Sequence, residues 1–151
     1  MITGLQRAVY KVLAEATDTG EPLAGVPQIL DHAMEMVEDG GISVETAPEE
    51  YSGGSENRRD FCTGEIRVHC VKWLGRGRDY QAALADADAL AKKVRQVLKG
   101  NLILESAEFP DGFTSQSVRI LRTDTGFGVH GGTRVAVATV VIKADYEESF
   151  S

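Results

Sequence analysis

The sequence predicts an α+β fold: an antiparallel β-sheet with two main helices packed on one face. Three observations predict it. Apolar residues recur at three- and four-residue spacing in two segments, one at the start and one in the middle of the chain. Other segments are rich in β-branched and aromatic residues or alternate apolar with polar ones. The resulting order is α, β, β, β, α, β, β, β, and an antiparallel sheet with helices on one face is the natural way to bury both apolar stripes.

The first helix is expected over residues 3–17, where Leu5, Ala8, Val9, Val12, Leu13 and Ala16 form one stripe. Thr3 with Gln6 three positions on fits a capping box, and Asp18-Thr19-Gly20-Glu21-Pro22 stops the helix. Residues 26–32 fit a short strand, and residues 33–41 either an acidic loop or a helical turn. Residues 42–46 alternate as a strand should. Residues 51–60, with Ser52-Gly53-Gly54-Ser55, read as a flexible connector exposed to water.

Residues 61–74 form a long predicted strand on which Ile66, Val68 and Cys70 share a face. It ends at Gly75-Arg76-Gly77-Arg78. The second helix, residues 79–99, has Asp79 as N-cap and Gly100 as a left-handed C-cap. Its buried stripe is Tyr80, Ala83, Leu84, Ala87, Leu90, Ala91, Val94, Val97 and Leu98, with Asp88 and Lys92 spaced for a surface pair. Residues 102–108 and 117–124 are further strands, split by the turn-like Phe109-Pro110-Asp111-Gly112. The closing strand, residues 133–146, carries apolar residues on both faces between Val135 and Ile142, as a strand covered on both sides does.

At 151 residues the chain is about the size of one domain, expected to span 1–151 with a flexible loop near 51–60. Such a length buries roughly 68–70% of its unfolded surface, so a core forms without metals or disulfides. No apolar run approaches the roughly 20 residues of a membrane span, and the first residues lack the basic and apolar regions of a secretory signal. The net charge of −7 argues against a free DNA-gripping module.

Motifs for chemistry are few. Gly126-Phe127-Gly128-Val129-His130-Gly131 matches G-x-G-x-x-G, but the residues after it read as a strand rather than the helix a pyrophosphate needs. Residues 126–132 are therefore expected to be a glycine-rich hairpin tip, a contact loop that exposes Phe127 and Val129. Cys62 and Cys70 share strand parity yet lie about 26 Å apart, and His69 points to the opposite face. His32 and Glu35 supply too few ligands for a metal centre. No catalytic residue, metal or cofactor is expected, and the chain reads as a non-enzyme. Charge is more informative: residues 31–57 hold eight acidic residues and no Lys or Arg, whereas residues 58–78 hold six basic residues against two acidic ones. Either these are solvated surfaces, or they are unlike patches that meet between copies.

Taken together, the segments resemble the tail-completion, or tail-terminator, proteins of long-tailed bacteriophages. The resemblance is carried by the N-terminal helix around Leu5-Gln6-Arg7-Ala8-Val9-Tyr10 and by Ile29-Leu30-Asp31-His32 leading to the strand at 42–46. It continues through Glu65-Ile66-Arg67-Val68-His69-Cys70-Val71-Lys72-Trp73, the helix through Ala89-Leu90-Ala91-Lys92-Lys93-Val94, Leu102-Ile103-Leu104, and the closing Gly132-Thr133-Arg134-Val135-Ala136-Val137. It implies a structural virion protein, assembled in the bacterial cytoplasm, that forms a hexameric ring. Such a ring caps the head-proximal end of the tail tube, stops its polymerisation and joins tail to head. The partners implied are further copies of the chain, the tail-tube protein and a head-side neck or connector protein, with no membrane. No sequence-specific nucleic acid is implied, although the lumen leaves room for genomic DNA. Another neck or tail-tube ring component, or a small ligand-binding or enzymatic α+β domain, are the competing readings.

Subunit contacts are expected at Glu49 and Glu50 in the acidic stretch, at Arg58, Arg59, Arg76 and Arg78 in the basic one, and at Phe127 and Val129. Reversing Arg58 and Arg59 to Glu should weaken assembly while leaving the monomer folded. Complementary changes at Glu49 and Glu50 should partly restore it, as read by sedimentation, and assembly indifferent to both reversals would reduce the patches to solvated surface.

Overall fold

The computed structural model describes residues 2–32, 37–47, 50–52, 59–74, 79–100 and 113–149. Within them the chain forms α1 (Ile2–Glu15), β1 (Ile29–Leu30), β2 (Ile42–Thr46), β3 (Glu50–Ser52), β4 (Arg59–Trp73), α2 (Tyr80–Gly100), β5 (Phe113–His130) and β6 (Thr133–Ser149). The sheet runs β1-β2-β4-β6-β5, with β3 pairing beside β4, and only the β1–β2 pair is parallel. The fold is α+β, as the sequence predicts.

Strand parity explains how both helices come to lie on one face. Ile66, Val68 and Cys70 of β4 stand opposite Ile142, Val140 and Ala138 of β6, and Val44 and Ile42 of β2 stand opposite Val68 and Cys70. These residues form a single buried cluster with Val9 and Leu13 of α1 and Ala83, Ala87, Ala91, Val94 and Leu98 of α2. The many alanines of α2 let the helix approach β4 and β6 closely, as short side chains do at a helix contact. The opposite face has a smaller cluster of Val37, Val71 and Val135, joined by Leu30, Trp73 and Val137. Trp73 is tied down there, its indole N–H donating to the Val37 carbonyl at 2.8 Å. Val135 and Val141 are buried on this second face, so the central strand is apolar on both sides for the reason its sequence suggests.

Several local expectations are corrected. Thr3 lies inside α1 rather than before it, and the Gln6 amide donates to the Asp31 and Val44 carbonyls instead of completing a capping box. Gln6 thus staples α1 to β2. Gly100 is the last residue of α2 and has no positive φ, so it is not a left-handed cap. The Asp79 carboxylate does accept from the Gln81 N–H at 3.1 Å, as an N-cap should. Tyr80 leaves the buried stripe and is 46% exposed, because α2 begins out where the β5–β6 hairpin projects. Asp88 and Lys92 are both exposed, but no ion pair joins them. The connector at 51–60 is shorter than expected, since Tyr51 and Ser52 belong to β3, and Arg59 and Asp60 to β4. Residues 53–58 and the predicted strand at 102–108, with its following turn, lie outside the described residues.

The largest correction concerns residues 126–132. They are not a loop: β5 continues to His130, and the reversal takes only Gly131 and Gly132. Both have positive φ, 55° and 82°, in a turn closed by the His130–Thr133 pair. Two successive positive φ values define a type I′ hairpin, whose twist matches that of its strands.

Candidate interaction surface

The hairpin carries the exposed side chains that the sequence singled out. Two register shifts, between Ser115 and Ser117 and between Ile120 and Arg122, displace the pattern of β5 along its length. Val118 and Ile120 face the helices opposite Ala144 and Ile142. Past the second shift, Thr123, Thr125, Phe127 and Val129 take over that side, with Phe127 opposite Ala136. Here the helix layer has run out. Phe127 is 51% and Val129 67% exposed, and Phe127 rests edge-on against Tyr80 with ring centroids 5.3 Å apart. The Tyr80 hydroxyl accepts from the Arg134 guanidinium at 2.8 Å. Phe127 therefore neither hangs on a mobile loop nor folds into the core. It is one member of a small surface cluster of Phe127, Val129 and Arg134 on the paired strands β5 and β6, with Tyr80 of α2 beside them. A surface with an aromatic pair and an arginine is of the kind that dominates binding energy in protein interfaces.

The charged candidates are placed differently. Glu49, Arg58, Arg76 and Arg78 lie outside the described residues. Glu50 pairs with Thr63, and Arg59 with Ser149, so the backbone sets both on neighbouring strands at the end of the sheet remote from the hairpin turn. Within the basic stretch, Arg67 is engaged by Glu65 at 3.2 Å. The polar face of the sheet also holds Arg122 against Asp124 at 2.9 Å and Arg119 against Asp145 at 3.4 Å. These exposed pairs of opposite sign leave the face close to electrically balanced, and each contributes little to stability.

Sequence reasoning missed the arrangement around His69. Its Nε2 lies 2.6 Å from a Glu45 carboxylate oxygen and its Nδ1 2.8 Å from the Thr139 hydroxyl. Three strands, β2, β4 and β6, bring these residues together, so only the register could have revealed them. A carboxylate, an imidazole and a hydroxyl in line are the parts of a nucleophile-activating triad. Acyl transfer also needs donors to hold a developing oxyanion and a concavity to hold substrate. The three side chains instead lie across the open face of a sheet, where the bonds tie β2 to β4 and β4 to β6.

Cys70 is a free thiol, wholly buried beneath the helices. His32 bonds Asp31 at 2.7 Å, and that hydrogen bond, aided by the imidazole's charge, holds the Asp31 carboxyl below its usual range. Glu35 lies outside the described residues, among which no three His, Cys, Asp or Glu side chains converge as metal ligands. No helix among the described residues is long and apolar enough to cross a membrane. A groove of about 450 Å³ opens where the last turns of the two helices meet, between Val12, Glu15 and Ala16 of α1, Glu21 and Pro22 after it, and Gln96, Val97 and Gly100 of α2.

The assembled elements, a bulged, mostly antiparallel sheet under two helices with a projecting hairpin, define a fold that is found in another solved chain. The chain is similar to a solved chain of the virion of native gene transfer agent (GTA) particle, with a TM-score of 0.56. The two are 20% identical, over 95% of this chain and 94% of the other. No family model matches the sequence, and no curated protein does. At this identity the likeness establishes a shared fold from end to end.

Proposed function

We propose that the chain is a non-enzymatic structural subunit of a phage-type virion, and that within it the chain forms the ring at the head-proximal end of the tail tube. That ring ends tube polymerisation and joins tail to head. Its partners are other copies of itself, six in the closed ring, the tail-tube protein, and a neck or connector protein on the head side. The observation that carries this reading is the fold likeness over nearly the full length of both chains to a component of a gene transfer agent virion. The order of segments that resembles tail terminators and the solvent-facing aromatic cluster of the hairpin add to it.

The test is the native mass of the purified protein, alone and with the tail-tube protein of the same particle. Six copies of a 16.3 kDa chain give a species of roughly 98 kDa, and electron micrographs should show that species at one end of each tube. The likeness equally supports a neighbouring ring of the neck or the tube itself. Rings found along the tube or on the isolated head vertex would favour that position. A chain that neither self-associates nor binds tube or head would overturn the reading.

A further inference from the structure

The hairpin cluster and the helical groove occupy opposite ends of α2. Tyr80, the first residue of that helix, touches Phe127, whereas Gly100, its last, lines the groove. Twenty residue steps at 1.5 Å each separate them by about 30 Å, so no copy seats its hairpin in its own groove. We propose that Phe127 and Val129 of one copy dock into the α1–α2 groove of a second copy.

The two surfaces fit in chemistry and in size. The groove has a mixed lining, with Val12, Ala16, Pro22 and Val97 beside Gln96, and the exposed carboxylates of Glu15 and Glu21 at its margin. No described cation forms an ion pair with either carboxylate. The hairpin offers an aromatic and an aliphatic side chain, with Arg134 beside them. One guanidinium nitrogen binds Tyr80, and the rest of the fork is available to a carboxylate, a partner for which its geometry is suited. About 450 Å³ admits a phenyl ring and an isopropyl group together. The edge contact with Tyr80 already orients Phe127, so little side-chain freedom remains to be lost on docking.

Each copy then carries one knob and one groove, and the contact joins unlike surfaces. Such a contact closes into a ring if the rotation per copy permits, and otherwise runs on as a filament. The inference rests on the proposed function only in taking the partner to be a second copy of this chain.

Two double variants test it. Phe127→Asp with Val129→Asp disables the knob, and Glu15→Arg with Glu21→Arg disables the groove. All four positions lie in the described structure, the knob pair is exposed, and the groove pair sits on the rim. Each variant alone is expected to remain a monomer at concentrations where the wild-type chain assembles, with its association weakened at least ten-fold and its thermal unfolding unchanged. Mixed in equal amounts, they should form a dimer near 33 kDa and go no further, because one intact knob then meets one intact groove. Should the aspartates disturb folding, Phe127→Ala and the Glu15→Gln, Glu21→Gln pair give the same contrast at smaller amplitude.

Variants that assemble like the wild-type chain, or a mixture that stays monomeric, would overturn this contact while leaving the ring standing. A wild-type chain that stays monomeric at every concentration, but still caps tubes, would overturn the contact and the ring together.

Discussion

Replacing Val94 by aspartate is expected to unfold the chain. Val94 lies in the middle of α2, fully buried, in the one cluster that joins both helices to β2, β4 and β6. A carboxylate there is cut off from water, and desolvating the charge, or forcing it neutral, costs several kcal/mol. A domain of this size has only about 5–15 kcal/mol of total stability to lose. The neighbouring exposed Lys93 provides the control, since Lys93→Asp should shift stability by no more than about 1 kcal/mol. Leu90→Asp should resemble Val94→Asp with a smaller loss, because Leu90 keeps an edge at the surface. Circular dichroism and thermal melting of the three variants decide the matter. A soluble Val94→Asp chain that melts like the wild type would rule out helices packed on this face.

Alkaline pH should destabilise the protein through Cys70. Burial pushes its thiol up from 9.0 to about 12, with Arg95 pulling weakly the other way. The unfolded thiol ionises from about pH 9, while the folded one keeps its proton. Over that window the unfolded state binds fewer protons, so stability is whole below pH 9 and falls as pH climbs towards 12. The slope approaches 1.4 kcal/mol per pH unit, or roughly 4 kcal/mol at pH 12. Lysines and tyrosines titrate in the same range, so the informative quantity is the difference from Cys70→Ala. That variant begins less stable, having lost core volume, yet its denaturation midpoint should fall less between pH 9 and 11. Parallel curves for the two proteins would mean that the thiol is not sealed from water.

What the sequence makes legible follows physical lines. α1, α2, β2 and β4 are visible because each buries one face, and a buried face imposes a period of 3.6 or 2 on its residues. β5 is obscured because its two bulges reset the alternation: the helix-facing residues run through Val118 and Ile120, then jump to Thr123, Thr125 and Phe127. Its Gly126 and Gly128 look like loop residues, but no second neighbour among the described residues flanks this edge strand, which tolerates them. Ser52-Gly53-Gly54-Ser55 hides β3 in the same way. The candidate surface was half legible. Phe127 and Val129 stand out as apolar residues beside glycines, but nothing local announces that Tyr80 and Arg134 join them. That meeting depends on where α2 starts relative to the hairpin. The Glu45–His69–Thr139 alignment is wholly a product of register, and no spacing along the chain encodes it.

β6 follows every other strand in sequence yet lies between β4 and β5 in space. Synthesis therefore delivers β4 and α2 before the strand against which both pack. The β5–β6 hairpin can zip from its two-residue turn within microseconds, whereas joining β6 to β4 must bring together positions such as Trp73 and Val135, roughly sixty residues apart. On loop-closure entropy alone, joining the ribbon to β4 is the costlier of the two pairings. The aromatic cluster acquires its Tyr80 support only once α2 and the ribbon have met, so in each copy the knob is completed after every residue of the groove has been made.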